Sequence, residues 1–211
     1  VVPAMVRGLE RIGSGSGTPE DLRREVVKRL LVLWEGVSNV RVVWGPTAVE
    51  TLIRAICSTA CCPHASTHMR LRLGRSMLNS LNKVNVIRSM GDICAYPDAD
   101  SQMQALCLEA AERMLGEWER CEQQDEERKI ALLKSLGQAA ANTALDASAA
   151  PVQLMRQNVL AALFQGLREG IHEVQRPLAL LRDCPDIAKE QRNEIAERLG
   201  RAYGLMRIKG S

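Results

Sequence analysis

Aromatic side chains are scarce in this chain. Its 211 residues include three Trp, two Tyr and one Phe. They stand at Trp34, Trp44, Tyr96, Trp118, Phe164 and Tyr203. A β-sandwich or barrel draws on aromatic and β-branched strands, and a single Phe does not supply them. Readers of bases that stack them on ring platforms are disfavoured for the same reason. Long apolar runs are missing too. No stretch approaches the roughly 18 apolar residues of a membrane span, and no charged segment followed by an apolar run marks a signal peptide. Nor is there a phosphate loop, because Gly13-Ser14-Gly15-Ser16-Gly17 lacks the flanking strand and the lysine. The chain does not begin with Met and reads as a piece of a larger protein.

What is present is aliphatic and charged. Apolar residues make up 46% of the chain and charged residues 25%. That suffices for a core, and it excludes a disordered chain or a disulfide-stapled mini-protein. The seven cysteines are odd in number and irregular in spacing. Most lie inside apolar helical patterns, as reduced thiols used as small hydrophobes do, which predicts a cytoplasmic or nuclear setting. The net charge of +3 decides nothing, but its distribution is uneven. Thr51 to Gly91 holds no acid against Arg54, Arg70, Arg72, Arg75, Lys83 and Arg88. Asp92 to Glu127 inverts the sign, with eleven acids against Arg113 and Arg120.

Helical periodicity runs through the sequence and predicts an all-α fold of about ten helices with no sheet. Residues 1–17 read as an N-terminal helix fragment followed by a flexible Gly/Ser linker, 18–206 as the helical domain and 207–211 as a tail. Thr18-Pro19-Glu20-Asp21 marks a helix start running to about Val37. Residues 40–44 read as an extended connector closed by Gly45-Pro46. Thr47 to Glu50 reads as a capping box opening a helix that Pro63 breaks. A basic helix over about 66–81 follows, and further helices are expected over about 84–94, 102–121, 126–145, 151–169, 177–182 and 186–206.

Short motifs recur. Leu73-Gly74, Leu115-Gly116 and Leu199-Gly200 lie 42 and 84 residues apart, and Trp34-Glu35 returns as Trp118-Glu119. Leu154-Met-Arg-Gln-Asn-Val-Leu-Ala-Ala-Leu163 shows an Arg followed by small apolar residues. On these motifs the chain resembles the HEAT and armadillo families of α-solenoids. The resemblance implies stacked antiparallel helical hairpins, a right-handed stack, and partner recognition through the inner helices. Glycines inside the expected helices, among them Gly74, Gly116, Gly137, Gly166 and Gly200, point to tight helix crossings.

Two constellations are candidate sites. Cys57, Cys61, His64 and His68 crowd thiol and imidazole groups around Pro63, the ligand types zinc prefers, although the spacing matches no finger and buried thiols beside exposed histidines fit as well. No other cofactor is indicated. The basic helix is the stronger feature. Arg72, Arg75 and Asn79 share one side at helical spacing, with Arg70, Lys83 and Arg88 nearby, and guanidinium groups suit carboxylates and phosphates. Trp44 adds a candidate exposed anchor. Cys184 before Pro185 stands where a helix start would favour a thiolate.

These features predict a protein–protein interaction scaffold that binds its partner, an acidic peptide or surface, through inner helices and the basic patch. Two other readings stay open. A nucleic-acid-backbone binder would show steep salt dependence. A thiol enzyme would need a base near one cysteine, and nothing in the sequence places His172 there.

Overall fold

The computed structural model describes residues 2–38, 44–97, 100–121 and 125–209, with side chains described as far as residue 202. Every regular element among them is helical. The helices are α1 (Val2–Ser14), α2 (Glu20–Ser38), α3 (Pro46–Ala60), α4 (Thr67–Met77), α5 (Val84–Ala95), α6 (Ser101–Arg120), α7 (Glu126–Ala140), α8 (Ala150–Arg168), α9 (Gln175–Asp183) and α10 (Lys189–Lys209). Short 3-10 turns follow α4 and precede α9. No helix among the described residues is long and apolar enough to cross a membrane.

Local chemistry explains most boundaries. Ser66 accepts from the Met69 N–H, Asp100 from the Gln102 and Met103 N–H groups, and Asp125 from the Arg128 N–H. Each satisfies amides that the first turn leaves open. The capping box expected at Thr47 does not form. Gly45 caps α3 and Pro46 takes the first turn, so Thr47 is already inside the helix and its carbonyl accepts from the Thr51 hydroxyl. Gly170, at φ +85°, ends α8 with the Ile171 N–H returned to the Gly166 carbonyl, a left-handed closure suited to glycine. The last helix begins later than expected because residues 185–187 form a turn.

Packing is layered. α1, α3, α5, α7 and α9 lie against one another in chain order, and α2, α4, α6 and α8 do the same. Each helix also packs against its neighbour in sequence, which closes one continuous core between the layers. Leu52 and Ile56, Ile87 and Met90, and Leu132 and Leu136 supply its fully buried centre. Burial of each such side chain contributes about 1.5–3 kcal/mol. Methionine takes much of the space that rings would fill, with Met69, Met77, Met90, Met103, Met114 and Met155 all buried. Trp34 and Trp118, the recurring tryptophans, are buried on α2 and α6. The side chain of Tyr203 lies outside those described, and the connector expected at 40–44 lies outside the described residues except for Trp44.

Residues 13–17 differ from the flexible linker expected of them. Gly13 and Ser14 complete α1, and α1 packs against α2 and α3 with Val6 fully buried. Gly13 faces Thr59 so closely that a Cβ there would come 2.5 Å from its hydroxyl. The glycines expected at tight crossings divide. Gly74, Gly137 and Gly166 press on Leu106, Pro177 and Leu133, whereas Gly116 meets only the end of Arg120 and Gly200 meets nothing within 4 Å.

Candidate functional site

Arg70, expected on the basic surface, is buried. Its guanidinium donates to the carbonyls of Ala60 (2.9 Å), Cys62 (3.4 Å) and Ala65 (3.2 Å). The cause is the end of α3, whose last carbonyls have no partner within the helix. A planar fork of donors satisfies several of them at once. Arg23 does the same for Gly13 (3.0 Å) and Gly15 (2.7 Å), and Arg156 for Ala140 (3.0 Å) and Asn142 (3.2 Å). The Asn142 amide serves Cys94 (2.7 Å) and Tyr96 (3.1 Å). Thus α1, α3, α5 and α7 each end in a carbonyl pair two residues apart, clamped by one buried side chain. The sequence signal was an Arg shortly after a helix break, and its surroundings looked like solvent-exposed basic sequence.

The remaining patch residues do not form one surface. Arg72 and Arg75 are exposed on α4 and have no ion-pair or hydrogen-bond partner among the described residues. Asn79 falls in the 3-10 turn after α4 and accepts from Arg113 (3.0 Å). Lys83 stands 5.6 Å from the Trp34 ring. Arg88 belongs to α5, in the other layer, and pairs with Glu127 at 3.0 Å. Trp44 is half-buried and packed on the core, which removes it as an exposed anchor.

The cysteine and histidine residues also separate. Cys57 lies in the last turn of α3 and Cys61 caps its end, while His64 and His68 are exposed beyond Pro63. Among the described residues no group of three or more His, Cys, Asp or Glu side chains gathers as metal ligands would. All seven cysteines are free thiols. The Cys61 thiol donates to Cys57 and draws its pKa below the usual thiol value, against burial and the Asp92 carboxylate. The same bond, with burial, pushes Cys61 up. Contact with Cys107 and full burial push Cys94 up. Cys184 is buried and closes α9 instead of opening α10, so a helix start does not activate it.

Two concavities lie on the layer of odd-numbered helices. A hollow of about 610 Å³ sits between α1, α3 and α5, lined by Arg7, Glu50, Arg54, Asn85, Arg88 and Asp92 among others. A second, of about 650 Å³, sits between α5, α7 and α9, lined by Lys134, Ser135, Gln138, Gln175, Arg176 and Leu180 and again by Arg88 and Asp92. Arg88 and Asp92 of α5 line both hollows, which therefore adjoin across this helix. Arg54 is held by Glu10 (3.6 Å) and Arg88 by Glu127, whereas Arg7, Lys134 and Arg176 have no acidic partner among the described residues. Of the acids, Glu50 accepts from Asn85 (3.3 Å) and Asp92 from Gln138 (3.2 Å). Leu180, 44% exposed, adds an apolar surface at the α9 end.

No protein-family model, no curated protein and no solved structure matches this chain.

Proposed function

We propose that the chain is a helical-repeat interaction module of the HEAT/armadillo kind, which holds an acidic, partly apolar segment of a partner protein along the groove on α1, α3, α5, α7 and α9. The carrying observation is that the two hollows adjoin at Arg88 and Asp92. A run across successive helices fits an extended peptide, and the unpartnered cations Arg7, Lys134 and Arg176 favour acidic residues in it. The recurring carbonyl clamps support the repeat reading, since stacked units need the same solution at each helix end. Glu50, Asp92 and Glu173 interleave with the cations, which suits the spaced charges of a peptide better than the evenly charged backbone of a nucleic acid.

The test is anisotropy of the whole chain with three labelled probes: an alternating Glu/Leu peptide, its Lys/Leu counterpart and a single-stranded oligonucleotide. The acidic peptide should bind, and Arg88→Glu should weaken it by about tenfold, the order of one lost charge pair. Arg72→Glu/Arg75→Glu, on the other layer, should leave it unchanged. Equal binding by Arg88→Glu, loss confined to the Arg72/Arg75 variant, or preference for the oligonucleotide would overturn the proposal.

A further inference from the structure

The hollow between α5, α7 and α9 has a feature its neighbour lacks. Ser135 lines it and is almost fully buried, at 1% exposure, yet its hydroxyl has no hydrogen-bond partner among the described residues. The Nε2 of Gln175, the first residue of α9, lines the same hollow and is also buried without a partner. An unsatisfied buried donor is costly, so two lining one hollow require an explanation. Lys134 and Arg176 flank them on α7 and α9, both exposed and both without an acidic partner among the described residues. With Arg88 paired to Glu127, two unpaired cations and two idle donors converge on one concavity. The acids there are Asp92 and Glu173. Asp92 is engaged by Gln138, and Glu173 is exposed on the 3-10 turn before α9.

We propose that this hollow is an oxyanion subsite. Lys134 and Arg176 supply the charge, and the Gln175 amide and the Ser135 hydroxyl supply the directed hydrogen bonds. The occupant is a carboxylate or a phosphate group borne by the partner segment, with Leu180 beside it receiving an adjacent apolar side chain. The proposal rests on the groove reading only for the origin of the anion. The donor set itself selects an oxyanion whatever carries it. Ser135 sits where α5 and α7 approach closely. A Cβ on Gly91 would lie 2.6 Å from the Ser135 hydroxyl, so glycine at that position leaves the space the hydroxyl occupies.

Backbone-amide chemical-shift titrations of the whole chain test this. Inorganic phosphate, added alone at constant ionic strength, should give saturable shifts centred on residues 134–138 and 172–180. Two otherwise identical peptides, one with phosphoserine and one with glutamate at the central position, decide which group the site prefers. Lys134→Gln and Arg176→Gln should each weaken phosphate binding several-fold. Gln175→Ala and Ser135→Ala should weaken it too, while unfolding shows stability unchanged or raised, which separates a ligand role from a structural one. Shifts spread evenly over all cationic helices, no saturation, or full affinity in both donor variants would overturn the subsite. The outcomes divide from those above. Phosphate binding here without Arg88-dependent peptide binding keeps the subsite and removes the groove. Arg88-dependent peptide binding with no phosphate effect does the reverse.

Discussion

The guanidinium of Arg70 lies over the ring of Tyr96, 3.7 Å from its centroid, while its nitrogens hold the carbonyls that end α3. One side chain thus ties the end of α3 to the start of α4 and to the residue that closes α5. Two positions on, Arg72 is exposed and touches nothing that holds it. Arg70→Ala should cost about 3 kcal/mol, because it strands buried carbonyls and removes the stacked cation. Arg70→Lys should recover only part of this, since an ammonium cannot fork across several acceptors. Arg72→Ala should stay within about 0.5 kcal/mol. Urea unfolding of the three variants checks the order, and a loss in Arg72→Ala equal to that in Arg70→Ala would refute it.

The contrast between these two arginines shows where sequence reading stops. Helix starts at Ser66, Asp100 and Asp125 could be read because the capping group is local. So could the all-helical fold, because a 3.6-residue period survives without rings. Arg70 and Arg72 have the same chemistry and nearly the same neighbours in sequence. What separates them is the end of α3 lying beneath one of them, a tertiary fact. The groove escaped notice for a related reason. Arg88 and Lys134 are 46 residues apart in the chain, and only the packing of α5 on α7 brings them into one hollow. The Gly/Ser run misled in the opposite direction, since Gly13 is needed for contact with Thr59 and not for flexibility.

Glycine substitutions probe the layer contacts directly. A Cβ on Gly137 would collide with Pro177 of α9, lying 3.2 Å from its Cα. Backbone and a rigid ring cannot yield cheaply, so Gly137→Ala should destabilise by about 1–3 kcal/mol. Gly200, in α10, has nothing within 4 Å. There Ala should stabilise by up to about 1 kcal/mol through helix propensity alone. Thermal unfolding should move the two variants in opposite directions. A shared direction would show that α9 does not press on α7 as described.

Glu169 gives a pH-dependent contribution of known sign. It accepts from Gln165 (2.9 Å) and from the buried Lys129 (3.1 Å), whose ammonium also stands 5.3 Å from the Trp118 ring. The Gln165 bond foremost, then Lys129, hold the Glu169 carboxyl below its ordinary value of 4.5. A carboxylate with a depressed folded pKa stabilises fully above its unfolded value and loses that contribution as pH falls through the folded one. Wild type should therefore exceed Glu169→Gln in stability at pH 6–7, and the gap should close as pH falls below 4.5. Denaturant midpoints of both proteins across that range measure it. A gap that widens on acidification would contradict the assignment.

Cys57 should be the first thiol to react. It is half-buried, lines the α1–α3–α5 hollow, and receives a hydrogen bond from the Cys61 thiol that favours its thiolate. Cys61 is disfavoured by that same bond and by burial. Cys121, also half-buried, is held above the usual thiol value chiefly by burial, then by Asp125. Cys62, Cys94, Cys107 and Cys184 are buried. Since the thiolate is the reacting species, iodoacetamide at neutral pH should modify Cys57 several-fold faster than any other cysteine. Its rate should reach half-maximum at a lower pH than an ordinary thiol. Cys61→Ala removes the donor and should move that midpoint upward, whereas Cys61→Ser keeps a hydroxyl donor and should restore part of the difference. The rescue matters, because a change in packing alone would affect both variants alike. Peptide mapping by mass after brief alkylation reads all seven positions at once. Faster labelling of Cys121, or a Cys57 midpoint indifferent to Cys61→Ala, would show that the two α3 thiols act independently.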